Sequence, residues 1–298
     1  MDDKPLHPWF TKGHEAFVRA FPAIACEVPF SLFYVCPQCL KGFPAESWER
    51  EFVTREHVPP KNIGGHRLTL TCKPCNNIVG GRDLDIHMRL EADLYDFAGG
   101  NLSNTRVNLR TQAGRIPIQL TVSNGAMQAF SVPRAVHPNE HQRVMAGFCQ
   151  ATAEGAWQDL RLTYEFSPFS TERAATGWLR TAYLAFFATL GYRFVMRPEL
   201  LDVRAKIRDA VGYGLRNFRV TTPTVTAEPT LVRIDSPTAF RSYAMLHRNH
   251  VIFLPLYGDR GLYERLGAEG DHVEVTFAGK QYPWPEGEPT FFHDWADL

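Results

Sequence analysis

Two pairs of closely spaced cysteines constrain this chain more than any other feature of its sequence. Cys36-Pro37-Gln38-Cys39 and Cys72-Lys73-Pro74-Cys75 each separate two thiols by two residues, and a longer segment joins the pairs. Tetrahedral zinc needs four ligands, and each Cys-x-x-Cys turn supplies two of them. The spacing therefore predicts a structural Zn²⁺ site at Cys36, Cys39, Cys72 and Cys75, with no position left for water. The alternative is four reduced cysteines packed as small apolar side chains.

The remaining cysteines and the apolar segments are typical of a protein in a reducing compartment that does not span a membrane. Cys26 and Cys149 lie outside the paired pattern, and we expect them to be small buried side chains. The N-terminus is polar and acidic, unlike a signal peptide, so a cytoplasmic protein that binds metal is favoured over one with disulfides. The most apolar run, residues 178–195, is interrupted by Arg180 and Arg193. That run predicts a buried helix rather than a membrane span.

The segment between the cysteine pairs has the pattern of two strands followed by a helix. Residues 52–58 and 68–71 alternate or are β-branched, which is typical of strands. Pro59-Pro60 and Gly64-Gly65 lie between them and indicate a loop. The second cysteine pair then begins a short helix, and a further helix is predicted over residues 83–97 from the spacing of its apolar side chains.

A carboxylate, an imidazole and an amide in this segment could form a catalytic site. Glu56 and His57 are adjacent on the first strand, and Asn76 directly follows the last cysteine. The oxygen atoms of Glu56 and Asn76 suit a hard cation such as Mg²⁺. A neutral His57 could act as the general base. The alternative is that Glu56 and His57 are polar surface residues and that Asn76 caps a helix.

Residues 36–81 resemble the HNH endonuclease superfamily, the ββα-metal nucleases. The resemblance is carried by the Glu-His dipeptide, a Pro-x-x-x-Gly-Gly loop and a Cys-x-x-Cys-Asn segment at the helix start. It implies that His57 is the general base and that Glu56 and Asn76 hold the catalytic Mg²⁺ or Mn²⁺. It also implies that the four cysteines hold a structural zinc. The implied reaction is hydrolysis of phosphodiester bonds in nucleic acid, with DNA as the expected substrate.

Three positions depart from the commoner family pattern. Glu56 stands where Asp is more frequent, and Asn76 occupies the third position. Arg67 replaces the middle Asn that normally orients the hairpin and the base, and Asn62 in the loop is a candidate to replace it. Asp85 and His87 follow downstream and could add an outer ligand.

The rest of the chain predicts an α+β protein of two domains. Residues 1–100 would form the HNH-type nuclease domain, and residues 101–298 a larger mixed α+β domain for substrate recognition, partner binding or sensing. The net charge of zero gives no argument for nucleic acid as a partner. Basic side chains nevertheless concentrate in residues 101–220, and acidic ones dominate residues 221–298. The basic region could follow a phosphate backbone or pair with the acidic segment.

We therefore interpret the sequence as a metal-dependent endonuclease, with a role in bacterial defence or a mobile element as one possibility. A homodimer or a partner protein could engage through residues 101–298. The alternative function is a non-catalytic zinc-binding module, which binds nucleic acid or protein through an HNH frame that has lost activity. A third possibility, by analogy alone, makes the larger domain a sensor that controls the nuclease.

Overall fold

The protein is described by a computed structural model, which covers residues 6–98, 102–123, 126–131, 136–163, 169–268 and 276–291. The chain divides into two compact units, one of Met1–Met88 with Thr171–Leu298 and one of Arg89–Ser170. This partition differs from the predicted division at residue 100. The C-terminal segment joins the segment with the paired cysteines in one unit, because the helix over residues 171–190, which includes most of the predicted apolar run 178–195, packs against the hairpin.

The described residues mix helices and strands, as predicted for an α+β protein. The helices are α1 (Pro8–Ala20), α2 (Pro22–Glu27), α3 (Glu46–Glu49), α4 (Asp85–Ala98), α5 (Pro138–Ala153), α6 (Thr171–Leu190), α7 (Tyr192–Val195), α8 (Leu201–Arg208) and α9 (Leu262–Ala268). A π-helix also spans Pro74–Arg82.

The strands pair in four small sheets, all of them antiparallel. They are β1 (Phe33–Val35), β2 (Gly42–Pro44), β3 (Val53–Val58), β4 (His66–Cys72), β5 (Leu102–Thr111), β6 (Gly114–Ser123), β7 (Ala126–Ser131), β8 (Arg161–Thr163), β9 (Arg219–Ser236), β10 (Ser242–Pro255) and β11 (Ala278–Tyr282). The sheet orders are β1-β2, β3-β4, β10-β9-β11 and β7-β6-β5-β8.

Helix α6 is the centre of the first unit. Almost every side chain from Ala174 to Leu190 is buried, and a helix that is apolar around its whole circumference belongs in a core. It contacts the β3-β4 hairpin on one side and strands β9 and β10 on another. The prediction of a buried helix in residues 178–195 is confirmed as far as Leu190, where α6 ends before Gly191 and the short helix α7. In the part of the chain that the structure describes, no helix combines the length and apolar character needed to cross a bilayer.

Three buried tyrosines fix the backbone next to the two cysteine pairs. The hydroxyl of Tyr183 donates to the carbonyl of Pro37, and that of Tyr192 donates to the carbonyl of Val35, each at 2.6 Å. The hydroxyl of Tyr34 donates to the carbonyl of Leu70 at 2.8 Å. Each bond satisfies a polar group that burial would otherwise leave without a partner. The α6–α7 segment thus holds the cysteine turn in place.

Strand β9 deviates strongly from regular pairing with β10. The register shifts between Leu246 and Arg248 and again between Arg248 and His250, so β9 carries additional residues at both points. Pro223 and Pro229 lie in this part of β9, and a proline has no N–H to donate to a ladder. Bulges of this kind redirect side chains and are frequent near functional sites.

The second unit is a four-stranded sheet with one covering helix. Val107 and Leu109 on β5, with Ile116, Ile118 and Leu120 on β6, alternate inward and pack with Val144 of α5. Period-2 alternation that buries one face is the expected pattern for an antiparallel sheet. The Ser-Asn-Gly pattern of residues 123–125 predicts a hairpin turn, and residues 273–277 predict a strand, but residues 124–125 and 273–275 lie outside the described part of the chain. The expectation that Cys26 and Cys149 are buried is wrong, since both are exposed.

Candidate functional site

The four predicted cysteines converge. One ligand atom from each of Cys36, Cys39, Cys72 and Cys75 lies within 4.8 Å of the others. The Sγ atoms of Cys39 and Cys72 are 3.7 Å apart, which is too far for a disulfide. Tetrahedral zinc with bonds of about 2.3 Å requires sulfur atoms about 3.8 Å apart. The cysteine cluster can therefore hold a structural metal such as zinc.

Local backbone geometry forms the metal site. The turn between β1 and β2 presents Cys36 and Cys39, and it is closed by hydrogen bonds from the Leu40 amide to the Cys36 carbonyl and from the Cys36 amide to the Lys41 carbonyl. The amide of Cys72 donates to the Cys36 sulfur at 3.4 Å. Burial raises the pKa of the Cys36 thiol, whereas hydrogen bonding to Cys36 lowers the pKa of Cys39. A divalent cation bound to all four as thiolates would resolve this competition.

The carboxylate of Glu56 points into the core, away from solvent. Glu56 is 3% exposed, and its Oε2 accepts a hydrogen bond from the Arg180 guanidinium at 2.7 Å. Thr71 Oγ1 donates to the same oxygen at 3.0 Å. Arg180 on α6 is also buried. Burial raises the pKa of the Glu56 carboxyl, although the positive charge of Arg180 opposes that shift.

Further polar groups surround Arg180. Its guanidinium contacts the Cys75 carbonyl at 3.4 Å, and the Gln38 amide oxygen, turned towards it, accepts from Nε at 2.9 Å. Gly80 leaves the space for this guanidinium, since a Cβ there would lie 2.7 Å from its carbon atom. Asp85 contributes to raising the pKa of Glu56, and within the described chain its buried Oδ1 atom has no hydrogen-bond partner.

Asn76 joins the π-helix to strand β3. Its Nδ2 donates to Thr54 Oγ1 at 2.9 Å and to the carbonyl of Arg55 at 3.2 Å. The amide therefore presents its donor, rather than an oxygen ligand, to the strand that carries Glu56.

The residues predicted to hold a catalytic cation are not arranged as an open oxygen site. The Oε2 atom of Glu56 already contacts a guanidinium and a hydroxyl, and a second positive charge beside Arg180 would be repelled. Asp85 lies nearby, and its carboxylate oxygen Oδ1 has no hydrogen-bond partner among the described residues. The arrangement as it stands does not fit Mg²⁺ or Mn²⁺ held by Glu56 and Asn76.

His57 lies on the opposite face of β3 from Glu56. Burial along β3 alternates, with Glu56 and Val58 buried and His57 partly exposed. The hairpin contains a register shift, and its additional residue lies in β4, between Thr69 and Arg67. The side chains of β3 therefore continue to alternate between the two faces of the strand. His57 consequently lines a cleft of about 1160 Å³. Of the predicted site residues, all of which are described, His57 alone lines it.

The hairpin side of the cleft is basic. Arg55, Lys61 and Arg67 line it beside His57 and are exposed. Partial burial lowers the pKa of His57, and the charges of Arg67, Lys61 and Arg55 lower it further. A lowered pKa keeps the imidazole neutral near pH 7, which is the form that accepts a proton. Gly65 closes the hairpin loop against Pro59, where a Cβ would meet the Pro59 carbonyl oxygen at 1.5 Å.

Other residues that line the cleft come from the C-terminal part of the chain, which sequence reasoning did not connect to the site. They include His247 and Arg248 on β10 and Trp284 after β11, together with the acidic Glu228 and Glu286. Arg248 has a positive φ of 54°, a conformation that costs energy for a residue other than glycine and tends to occur at functional positions.

One sequence signal pointed towards the buried partner of Glu56. Arg180 interrupts an otherwise apolar run, and an arginine inside a buried helix needs a counter-charge or several acceptors. The sequence did not identify which carboxylate it meets. No comparable signal marked His247, because a histidine in a strand is usually an ordinary partly buried residue.

The two histidines of β10 make stability depend on pH. Burial lowers the pKa of His247 from 6.5 to about 4 and that of His250 to about 3, and the charge of Arg248 contributes to both shifts. As pH falls from 6.5, the unfolded chain binds protons that the folded chain refuses, so stability is lost as pH falls through this range.

We expect the melting temperature to fall between pH 6.5 and 4, and the fall to be smaller in His247→Phe. Protonation of His247 in the unfolded chain is expected to lower the free energy of unfolding by on the order of 3 kcal/mol across this range. Thermal melts at several pH values measure it, with His66→Ala as the control for an exposed histidine. An identical slope in wild type and His247→Phe contradicts the assignment.

No protein-family model, no curated protein and no solved structure matches this chain, so the site rests on its own geometry.

Proposed function

We propose that this protein is an endonuclease of HNH type, which hydrolyses phosphodiester bonds of nucleic acid with His57 as the general base. The observation that carries the proposal is the position of His57 in a large cleft beside three exposed cations, Arg55, Lys61 and Arg67. A polyanion is the ligand class that such a surface attracts. The adjacent cysteine cluster and the strand–strand–helix order support the same proposal.

The chemistry assigns each group a separate task. The neutral His57 imidazole takes a proton from a water molecule, and the resulting hydroxide attacks phosphorus opposite the leaving 3′ oxygen. Arg55, Lys61 and Arg67 bind phosphate oxygens and offset the negative charge that grows during attack. A positioned general base contributes about 10²- to 10⁴-fold to the rate.

The resemblance to HNH nucleases also implies a catalytic Mg²⁺ or Mn²⁺ ion at Glu56 and Asn76. That role for Glu56 requires its carboxylate to leave Arg180 and Thr71, which hold it in the core. The task of His57 stands apart from this requirement, because His57 lies on the other face of β3. Cleavage assays with and without each metal test the cation separately.

A second candidate is a zinc-stabilised module that binds nucleic acid without hydrolysing it. The buried Glu56–Arg180 pair favours this candidate, because it occupies the carboxylate that the resemblance assigns to a cation. The basic cleft would then serve binding alone. Measured hydrolysis distinguishes the two candidates.

The test is cleavage of circular DNA, supplied as supercoiled duplex and as a single-stranded circle, with Mg²⁺ or Mn²⁺. Circular substrates have no ends, so any cleavage is endonucleolytic. Wild type is expected to cut, and His57→Ala is expected to cut about 10²- to 10⁴-fold more slowly because it lacks the base.

The control is His137→Asn, which replaces an exposed histidine before α5, outside the cleft, by another residue that caps helices. It is expected to stay within about tenfold of wild type, as a surface substitution should. Zinc content and the melting temperature are measured for both variants. Equal cleavage by wild type and His57→Ala, with both folded, would remove the catalytic assignment.

A further inference from the structure

The cleft has a second wall, which residues of the C-terminal sheet form and which we name the β10 wall. It consists of His247, Arg248 and Trp284. The catalytic chemistry proposed for His57 uses none of these three residues. All three nevertheless line the same cleft as His57, so they lie within reach of a polymer bound there.

His247 lacks a hydrogen-bond partner in a place where burial makes one necessary. It is 7% exposed, and neither ring nitrogen has a hydrogen-bond partner among the described residues. Its ring packs near Trp178, with centroids 5.3 Å apart. Buried polar atoms are nearly always hydrogen-bonded. A ligand in the cleft is therefore the expected partner of this imidazole.

The hydrogen-bonding capacity of a neutral imidazole restricts the chemistry of that ligand. It offers one donor and one acceptor. A phosphate or carboxylate presents acceptors alone and would satisfy half of this capacity. The edge of a nucleobase presents donors and acceptors side by side. It can bond to both ring nitrogens, or to one of them while a water molecule bonds to the other.

The neighbouring residues supply the other two contacts that a nucleotide needs. Arg248 sits at the paired bulges of β10 and β9 with its backbone held at positive φ, an arrangement that redirects its side chain. Its guanidinium suits a phosphate. Trp284 is a partly exposed ring on the same wall, and such rings are stacking platforms for bases.

The size of the cleft and the nature of the contacts favour unpaired nucleotides. At about 1160 Å³ the cleft exceeds the usual range of about 300–1,000 Å³ for small-ligand pockets. Stacking on Trp284 requires an open base face, and contact with the deeply placed His247 requires a base that leaves its helix. A regular duplex offers neither, because its bases are paired and stacked on each other.

We propose that the β10 wall binds unpaired nucleotides of a single-stranded nucleic acid, with a base edge at His247, a base face on Trp284 and a phosphate at Arg248. This inference rests on the proposed function in one respect, namely that the cleft holds nucleic acid. It adds the strandedness of the substrate and the residues that select it.

The test is fluorescence anisotropy with a labelled single-stranded DNA, a single-stranded RNA of the same sequence and the matching DNA duplex. Wild type is expected to bind both single strands more tightly than the duplex, and the tighter of the two identifies the preferred sugar. Trp284→Ala is expected to weaken single-strand binding about 5- to 100-fold, as removal of one stacked base does.

His247→Phe separates ligand binding from packing. It keeps an aromatic ring against Trp178 and removes both nitrogens, so the melting temperature is expected to stay equal or to rise. Single-strand binding is expected to weaken at least fivefold. Tyr257→Ala, at a 73% exposed aromatic outside the cleft, is the control and should bind as wild type does. Wild-type affinity in both cleft variants, or equal affinity of wild type for duplex and single strand, overturns the proposal.

The failure of this inference and the failure of the proposed function give different results. Single-strand binding that both variants weaken, without cleavage of any circular DNA, retains the β10 wall and removes hydrolysis. His57-dependent cleavage of duplex that does not respond to His247→Phe, with duplex bound as tightly as single strand, retains hydrolysis and removes the β10 wall.

Discussion

The Cys72→Ser variant is expected to lose its metal and to unfold the first compact unit. Cys72 ends strand β4, is 3% exposed and contacts both sulfur atoms of the first cysteine pair, Cys36 and Cys39. Structural zinc contributes about 10–16 kcal/mol in small metal-stabilised folds, whereas a whole domain is stable by about 5–15 kcal/mol. The loss of one ligand of four removes much of that contribution, since a serine hydroxyl is a poor zinc ligand.

The measurements are the zinc content per chain and the thermal melt, before and after treatment with a chelator. Wild type is expected to hold one zinc per chain and to lose its cooperative transition when the chelator removes it. Cys26→Ser and Cys149→Ser are matched controls, because both thiols are exposed and outside the cluster. A Cys72→Ser protein that keeps one zinc per chain and has the same melting temperature as these controls would show that the cluster is not the metal site.

The second large effect is expected from breaking the buried pair of Glu56 and Arg180. Both side chains are about 3% exposed and meet at 2.7 Å. Removing one partner of such a pair leaves an uncompensated charge in the core and costs about 3–5 kcal/mol. Arg180→Ala and Glu56→Ala are each expected to lower the free energy of unfolding by about that amount, as measured by urea denaturation.

A double variant tests whether the pairing itself causes the loss. Glu56→Leu with Arg180→Met replaces two charges by apolar side chains of similar size, and such replacements are often neutral or stabilising. We expect the double variant to be more stable than either charge-deleting single variant. Arg173→Ala is the control for an arginine on the same helix, because its side chain is 37% exposed. Additive losses in the double variant would show that the two residues act independently.

The same double variant bears on the role of Glu56 in catalysis. If the variant folds, binds zinc and cleaves DNA as wild type does, then Glu56 serves the core rather than a catalytic cation. If it folds and fails to cleave, the reaction needs at least one of the two charged side chains. The proposed role of His57 is tested separately, because His57 lies on the other face of β3.

Sequence-based prediction succeeded where covalent spacing and local pattern decide the structure. Two Cys-x-x-Cys turns placed four thiols in pairs, and the structure brings all four together. The β3-β4 hairpin and the π-helix after it follow the predicted order. The signals that predicted them, β-branched alternation, Gly-Gly and Pro-Pro, each determine the backbone conformation of only a few neighbouring residues. The apolar run of residues 178–195 predicted a buried helix for the same reason, and α6 covers that run as far as Leu190.

The partner of Glu56 depended on the tertiary structure. Arg180 is 124 residues away in sequence, and pairing across such a distance is decided by how α6 packs on the hairpin. The alternation of β3 then separates the carboxylate from the imidazole, with Glu56 in the core and His57 in the cleft. The sequence predicted both residues as members of one site, and strand geometry placed them on opposite faces.

The sequence by itself determined that this protein has a zinc-type cysteine cluster, an adjacent hairpin with a histidine, an α+β composition and a buried central helix. Each of these depends on residues close together in the chain. The tertiary structure alone decided that residues 171–298 join residues 1–88 in one unit, that Arg180 neutralises Glu56, and that His247 and His57 line one cleft. These contacts join segments that are distant in the sequence. They are selected by the burial of apolar surface, which does not depend on how far apart two residues are in the chain.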